Sequence, residues 1–319
     1  MPETGDLDKQ VATTPQDSSE SSHLRILLIG SSGMLGRDLL PALLEAGHHV
    51  RNPFREDLDI LNMEHLEGIR KGDWGQIDVI INCAAYTAVD QAETDTMSAM
   101  RLNAVAAGGL AVIAMQIGAR VLHISTDFVF DGKSSTPYIE SAQTLPLNVY
   151  GKSKLLGEQN VLKECPPSWV IRTSWLYGAH GKCFPRTMIE AWREGKELRV
   201  VNDQIGCPTY TVELAKSIVE FLAVFPRPGI YHVCGPESMS WYDFAKLTLE
   251  CAQASSGSSQ PIRLSPVTTA EFPTPAARPK YSVLDTSRVS ALGVRSMAPV
   301  KDSLVEFCTA FTQSSKRNK

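Results

Sequence analysis

The sequence has no long hydrophobic run. Residues 104–119 form its longest weakly polar stretch, which includes Gln116 and is rich in Ala and Gly. It falls short of the roughly 20 apolar residues that cross a bilayer, so it predicts a packed helix. The start of the chain lacks the charged-then-apolar pattern of a secretory signal and is not Arg-rich like an import peptide. The seven cysteines, at 83, 165, 183, 207, 234, 251 and 308, are odd in number and include no close pair. That speaks against a disulfide framework and for reduced thiols in a cytoplasmic protein. HExxH, CxxC and calcium-loop patterns are missing, and there is no internal repeat. A large charge of one sign is lacking too. The formal net charge of -4 comes from residues 1–22, where Glu3, Asp6, Asp8, Asp17 and Glu20 outweigh Lys9. The remainder is balanced, with no global basic field for nucleic acid or an anionic membrane.

What is present fits a soluble globular chain. With 319 residues, 43% hydrophobic and 21% charged, it can bury about three quarters of its unfolded surface and needs no disulfide or metal to hold its core. Its length suggests roughly two domains. Residues 1–22 are polar and predict a disordered acidic tail, and residues 312–319 a frayed end. Between them, short apolar runs predict strands at Leu24–Ile29 and Ile77–Asn82, and His48–Arg51, Arg120–Ser125 and Trp169–Thr173 read as further strands. Helical spacing follows Gly36, with Leu39, Leu40, Leu43 and Leu44 on one side, Pro41 as an interruption and Gly47 as a stop. Residues 97–118 predict one long helix or two with a break near Gly108–Gly109, and residues 150–164 another. This alternation predicts an α/β fold with a doubly wound parallel sheet. After Tyr177 the segments shorten, and a smaller α/β substrate-binding region is expected.

Gly30, Gly33 and Gly36 form GxxGxxG between an apolar strand and a helix. Glycine there lets the backbone turn tightly and approach a pyrophosphate, while the helix N-terminus offers free N–H groups. The spacing departs by one residue from the commoner GxGxxG. Ser32, Met34 and Leu35 complete the candidate phosphate loop. Arg51 and Arg55 stand near the end of the second strand, where an acid would hold the ribose diol of NAD and an arginine favours the extra phosphate of NADP. A solvated surface role suits both equally. Asp59 and Ile60 are placed to flank the adenine.

Tyr150 and Lys154 form YxxxK at helical spacing, on one face. Thr126 follows the strand RVLHIS. This set suits carbonyl reduction: a tyrosine donates a proton to oxygen, a lysine ammonium lowers the phenol pKa from its usual value near 10, and a threonine hydroxyl holds the carbonyl. His123 and His232 lie on apolar strands without evident partners and read as core. Asn82 and Asn103 read as amides that satisfy backbone groups or line the cofactor site.

With these residues in view, the sequence resembles the extended short-chain dehydrogenase/reductases, and within them the dTDP-4-dehydrorhamnose reductase (RmlD-like) family. The resemblance runs through GSSGMLG at 30–36, NCAAYTAVDQAE at 82–93, STDFVFDG at 125–132, PLNVYGKSKLLGE at 146–158, RTSWLYG at 172–178, VNDQIGCPTY at 201–210 and FPTPAARPKYSVLDTS at 272–287. It implies a Rossmann domain in residues 23–175 and a nucleotide-sugar domain in residues 176–311, with some segments returning to the first. It implies reduction of the C4 ketone of dTDP-6-deoxy-L-lyxo-4-hexulose to dTDP-L-rhamnose by NADPH or NADH, with Thr126, Tyr150 and Lys154 in catalysis. Ala84, Ala85, Thr87, Val89 and Asn103 then join the cofactor site. Asp127, Phe128 and Trp175 join the sugar site, and Gln204 and Arg278 the nucleotide side. Trp175 could equally be core, and Asp127 a turn cap. The family often has Gly-x-Asn-Phe-Val where this chain has Gly181–Lys182–Cys183–Phe184–Pro185, and Tyr is frequent where Phe128 stands. These departures touch the identity of the sugar more than the reaction. Some members use Mg2+ at a dimer contact. Glu213 and Glu220 are the candidate carboxylates, with a solvated helix face as the plainer reading, and a homodimer is a further expectation. A more distant resemblance, to the regulatory beta subunit of methionine adenosyltransferase, implies a non-catalytic cofactor-binding partner. A reductase of another keto-sugar is the third reading.

Overall fold

The computed structural model describes residues 23–317, with side chains through Phe311. The expected tail at 1–22 lies outside the described residues. Six strands form one parallel sheet: β1 (Arg25–Ile29), β2 (His49–Arg51), β3 (Val79–Asn82), β4 (Arg120–Thr126), β5 (Trp169–Thr173) and β6 (Gly229–His232). Their order is β6-β5-β4-β3-β1-β2. The order reverses between β1 and β3, and a ligand crevice is expected outside the carboxyl ends of strands at such a point.

The continuous apolar runs follow from burial on both faces. Along β1, Ile26 and Leu28 enter one core, while Leu27 and Ile29 enter the other. The same alternation puts Val79 and Ile81 on the first side and Ile80 on the second. Helices α1 (Met34–Glu45), α2 (Met63–Lys71), α3 (Ala107–Gln116), α4 (Val149–Glu164) and α5 (Thr211–Val224) cover these faces. Leu35, Leu39 and Leu43 of α1 pack with Leu214, Ile218 and Phe221 of α5. Leu66 and Ile69 of α2 pack with Leu110 and Ala114 of α3 and Val161 of α4. Pro41 is exposed and α1 runs past it, ending before Gly47 at φ +84°.

The expected long helix runs from Thr96 to Gln116 with no break at Gly108–Gly109. Residues Arg101–Ala106 form a π-helical turn between the α-helical Thr96–Met100 and α3. The cause is the close approach of α4. A Cβ on Gly157 would lie 2.1 Å from the Asn103 carbonyl oxygen, and Asn160 Nδ2 donates to the Ala104 carbonyl at 3.0 Å. By length and composition alone, the 21 residues Thr96–Gln116 could cross a membrane. Here Ala104, Ala107, Leu110, Ala111 and Ala114 are buried in the fold.

Beyond the sheet, a third core gathers Tyr177, Ile189, Trp192, Phe244, Leu304 and Phe307. It joins helices Phe184–Arg193, Trp241–Ser256 and Val300–Arg317. The last helix runs through residues 312–317.

Candidate active site

The carboxyl ends of β1 and β3 meet at the glycine loop. Gly30 has φ +78°, and a Cβ on it would lie 2.7 Å from the Ala84 nitrogen. A Cβ on Gly36 would lie 2.3 Å from the Gly30 carbonyl oxygen and 2.6 Å from Ser31 Cα. Only glycine fits at either place. Gly33 is the N-cap of α1. A cleft of about 250 Å³ opens here, lined by Gly30, Ser32, Gly33, Arg55, Asp59, Ile60, Ala84 and Ala85 among others. Eight of the expected cofactor residues therefore share one wall.

Other expected cofactor residues lie elsewhere. Leu35 is buried in the core, and Met34 packs against the third core. Arg51 borders a different hollow, beside Arg25, His49 and Trp74. Arg55 reaches Asp59 at 3.3 Å, and Asp59 Oδ1 also accepts from the Leu61 N–H. Thr87 is exposed and Val89 half-buried, both beyond the cleft wall. Asn103 is spent on structure. Its Oδ1 accepts from Tyr86 N at 2.8 Å, and its Nδ2 donates to Tyr86 O and to Ser153 Oγ at 2.9 Å. It thus ties the loop after β3 to α4.

Asn148 caps α4, accepting from Gly151 N at 2.7 Å and donating to Ala277 O at 2.8 Å. Gly151 lets the start of α4 press on the turn at Asp127–Val129, since a Cβ there would lie 2.2 Å from Phe128 O. This brings Tyr150 to the end of β4, where Phe128 meets its ring edge-on at 5.8 Å. Burial pushes the Tyr150 phenol up to about 12 and Asp127 adds to this, while a hydrogen bond with Thr126 pulls it back. The expected lowering by Lys154 is corrected here: desolvation wins, and the phenol keeps its proton at neutral pH.

Lys154 is buried. Burial lowers its ammonium to about 8, against the raising influence of Glu158 and Cys83. Its Nζ donates to Ile124 O at 2.6 Å and lies 3.2 Å from His123 Nε2. His123 Nδ1 lies 3.2 Å from Asn82 Nδ2, and Asn82 Oδ1 accepts from Ala84 N at 3.1 Å. His123 therefore has two partners that sequence reading missed. Burial holds it well below the usual histidine range, so it is neutral. Behind this group, Glu158 accepts from Arg172 Nη2 at 2.7 Å, Arg172 Nε at 2.9 Å and the Ser125 hydroxyl.

On the substrate side, Thr126 Oγ1 donates to Asp127 Oδ1 at 3.1 Å and accepts from Phe128 N. Burial raises the Asp127 acid to about 6, opposed by hydrogen bonds from Ser282 and Thr126. Trp175 has φ +46° and stacks on Trp241 at 3.5 Å, with Gly206 leaving no room for a side chain beside the indole. Gln204 is buried and donates to Thr269 Oγ1, so it anchors a loop. Arg278 forks onto Asp90 at 2.8 and 3.0 Å, which straps the 276–278 segment to the short helix Val89–Ala92. Both side chains thus have partners within the protein. Nothing here supports the metal expectation. Glu213 holds Lys216 and the Ala298 N–H, and Glu220 holds Arg295. No group of three His, Cys, Asp or Glu able to hold a metal exists among the described residues.

The family model described as the RmlD substrate binding domain matches residues 24–313. The spore coat polysaccharide biosynthesis protein SpsK of Bacillus subtilis is 39% identical over 273 residues, 85% of this chain and 92% of that protein. The dTDP-4-dehydrorhamnose reductase of Escherichia coli is 36% identical over 270 residues, 83% of this chain and 90% of that protein. The crystal structure of dTDP-4-dehydrorhamnose reductase from Bacillus anthracis in complex with NADP superposes with a TM-score of 0.83, at 36% identity, over 90% of this chain and 99% of that one. The chain belongs to the RmlD family of dTDP-4-dehydrorhamnose reductases, and with it to the NAD(P)H-dependent oxidoreductases.

Proposed function

We propose that this protein reduces the C4 ketone of dTDP-6-deoxy-L-lyxo-4-hexulose to dTDP-L-rhamnose, with NADPH as the reductant and Tyr150 as proton donor. The observation that carries this is the gathering of Thr126, Tyr150 and Lys154 at the end of β4, with Lys154 facing Cys83 of the glycine-lined cleft. The fit of a dinucleotide rests on Gly30 and Gly36, where any Cβ would strike backbone. When bound, the cofactor supplies the hydride that reaches the ketone carbon. Ser32 and the free N–H groups at the start of α1 would hold its pyrophosphate. Arg55 would meet a 2′-phosphate, releasing Asp59. Lys154 would hold the nicotinamide ribose.

The chain's own chemistry is proton delivery. A phenol held near 12 is a full proton donor at neutral pH, and it gives its proton as charge builds on the ketone oxygen. The Thr126 hydroxyl turns from Asp127 to that oxygen and steadies it. The division of labour gives residues 23–175 mainly to the cofactor and 176–311 mainly to the nucleotide sugar. A cytoplasmic site suits the seven free thiols. The relatives lend no support to the regulatory-subunit reading.

The test is loss of NADPH absorbance with the enzymatically made keto-sugar, and identification of the product by chromatography. Rapid oxidation yielding dTDP-L-rhamnose is expected. A folded, NADPH-binding protein that leaves this sugar unreduced would overturn the assignment. A second expectation concerns the cradle. Gly36→Ala overpacks two backbone segments, at a cost of about 1–3 kcal/mol. Calorimetric titration should show NADPH affinity falling about tenfold or more, with a lowered melting temperature. Wild-type affinity in that variant would show that the loop does not grip the cofactor.

A further inference from the structure

Lys154 sits in a cage that has more structure than a lysine needs for burial alone. The Asn82 amide is oriented by the Ala84 N–H, which its Oδ1 accepts at 3.1 Å. Its Nδ2 then faces His123 Nδ1 at 3.2 Å and must donate there. A neutral imidazole has one donor and one acceptor. With Nδ1 accepting, the proton sits on Nε2, and Nε2 lies 3.2 Å from Lys154 Nζ. An ammonium has three donors and no acceptor, so it meets a donor there. A neutral amine has a lone pair for His123 and still donates to Ile124 O at 2.6 Å.

We propose that His123 is a positioning residue for Lys154: Asn82 locks its imidazole in the Nε2–H tautomer, and the N–H aimed at Nζ favours the neutral amine over the ammonium. The inference rests on the reading of Lys154 as a member of the catalytic set. Its consequence is a lysine whose proton is loosely held, next to a tyrosine that must recover one after each turnover. The Ala84 N–H that orients Asn82 belongs to the cofactor cleft, so the same chain of contacts joins cleft and lysine. The other groups that face Lys154 act differently. Cys83, after β3, is kept a neutral thiol by burial. Tyr150, one turn back on α4, is a neutral phenol. Glu158, one turn on, favours the ammonium, but its carboxylate is shared with Arg172 of β5. His123 of β4 is the neighbour whose tautomer sets the balance.

Two magnetic-resonance readouts on the folded full-length chain test this without need of substrate. Long-range 15N spectra of histidine-labelled protein report the tautomer, with His123→Gln to assign the signal. The expected result is Nε2–H in the wild type and Nδ1–H in Asn82→Asp, where a carboxylate can only accept. Titration of labelled lysine side chains reports Lys154, assigned by Lys154→Met. Its midpoint should rise by about one pH unit in His123→Leu, the scale of one hydrogen bond. A wild-type Nδ1–H tautomer, or a midpoint that stays or falls in His123→Leu, would overturn the proposal. If His123→Leu does not fold, the wild-type tautomer still decides. Failure of the wild type to reduce any keto-sugar would sink the ketoreductase reading and leave both readouts in force.

Discussion

Tyr150→Phe should lose turnover by roughly 10²- to 10⁴-fold, the scale set by removal of a positioned acid, while NADPH binding stays within about twofold. The reasoning starts from what the substitution leaves in place. The ring keeps its edge contact with Phe128, and the start of α4 keeps its Asn148 cap. The lost group is one hydroxyl whose proton no neighbour can replace. Asp127 is mostly ionised at neutral pH, with its acid near 6, and Lys154 points at Ile124 and His123. Thr126 retains its hydroxyl, so the ketone oxygen still has a hydrogen bond but no proton to take. The loss should therefore appear in kcat, with little change in KM. Steady-state kinetics beside calorimetric NADPH titration separates the two. Unchanged turnover in this variant would defeat the assignment of Tyr150.

The parts legible from sequence were those written in contiguous residues. The strands could be read because burial on both faces demands unbroken apolar runs such as residues 26–29 and 79–81. The glycine loop could be read because a strand end, a turn and a helix start follow one another there. The Asn103 turn could not, because its π-helical geometry answers to Gly157 and Asn160 on another helix. The same holds for His123. Its partners are 41 and 31 residues away, and on its own strand it is one more member of an apolar run. Family resemblance carried Gln204 and Arg278 to the nucleotide side, yet it does not reveal that Thr269 and Asp90 occupy them. The state of the phenol is hidden from sequence for a related reason. Spacing places a lysine beside a tyrosine, but desolvation depends on the walls around both.

Glu158→Gln is expected to cost about 3–5 kcal/mol of stability, because it strands a buried guanidinium. Both partners are 2% exposed, and the pair is held by Nη2 to Oε2 at 2.7 Å and Nε to Oε1 at 2.9 Å. The guanidinium also lies over the Phe130 ring at 5.1 Å. In an interior of this kind the attraction between the charges offsets their desolvation only while both are present. A Gln can accept one hydrogen bond from Arg172 but cannot balance its charge. His232 offers no relief, since burial and Arg172 already hold it neutral, down to about 3. The reciprocal Arg172→Met strands a carboxylate instead, at a cost of the same order. The double variant Glu158→Leu with Arg172→Met removes both charges and should recover much of the loss. Urea unfolding of the three variants closes the cycle. A single variant that loses less than about 1 kcal/mol would mean that water reaches the pair. Because Glu158 also favours the Lys154 ammonium, Glu158→Gln should further loosen that proton, tying the stability of the buried ion pair to the protonation of the active site.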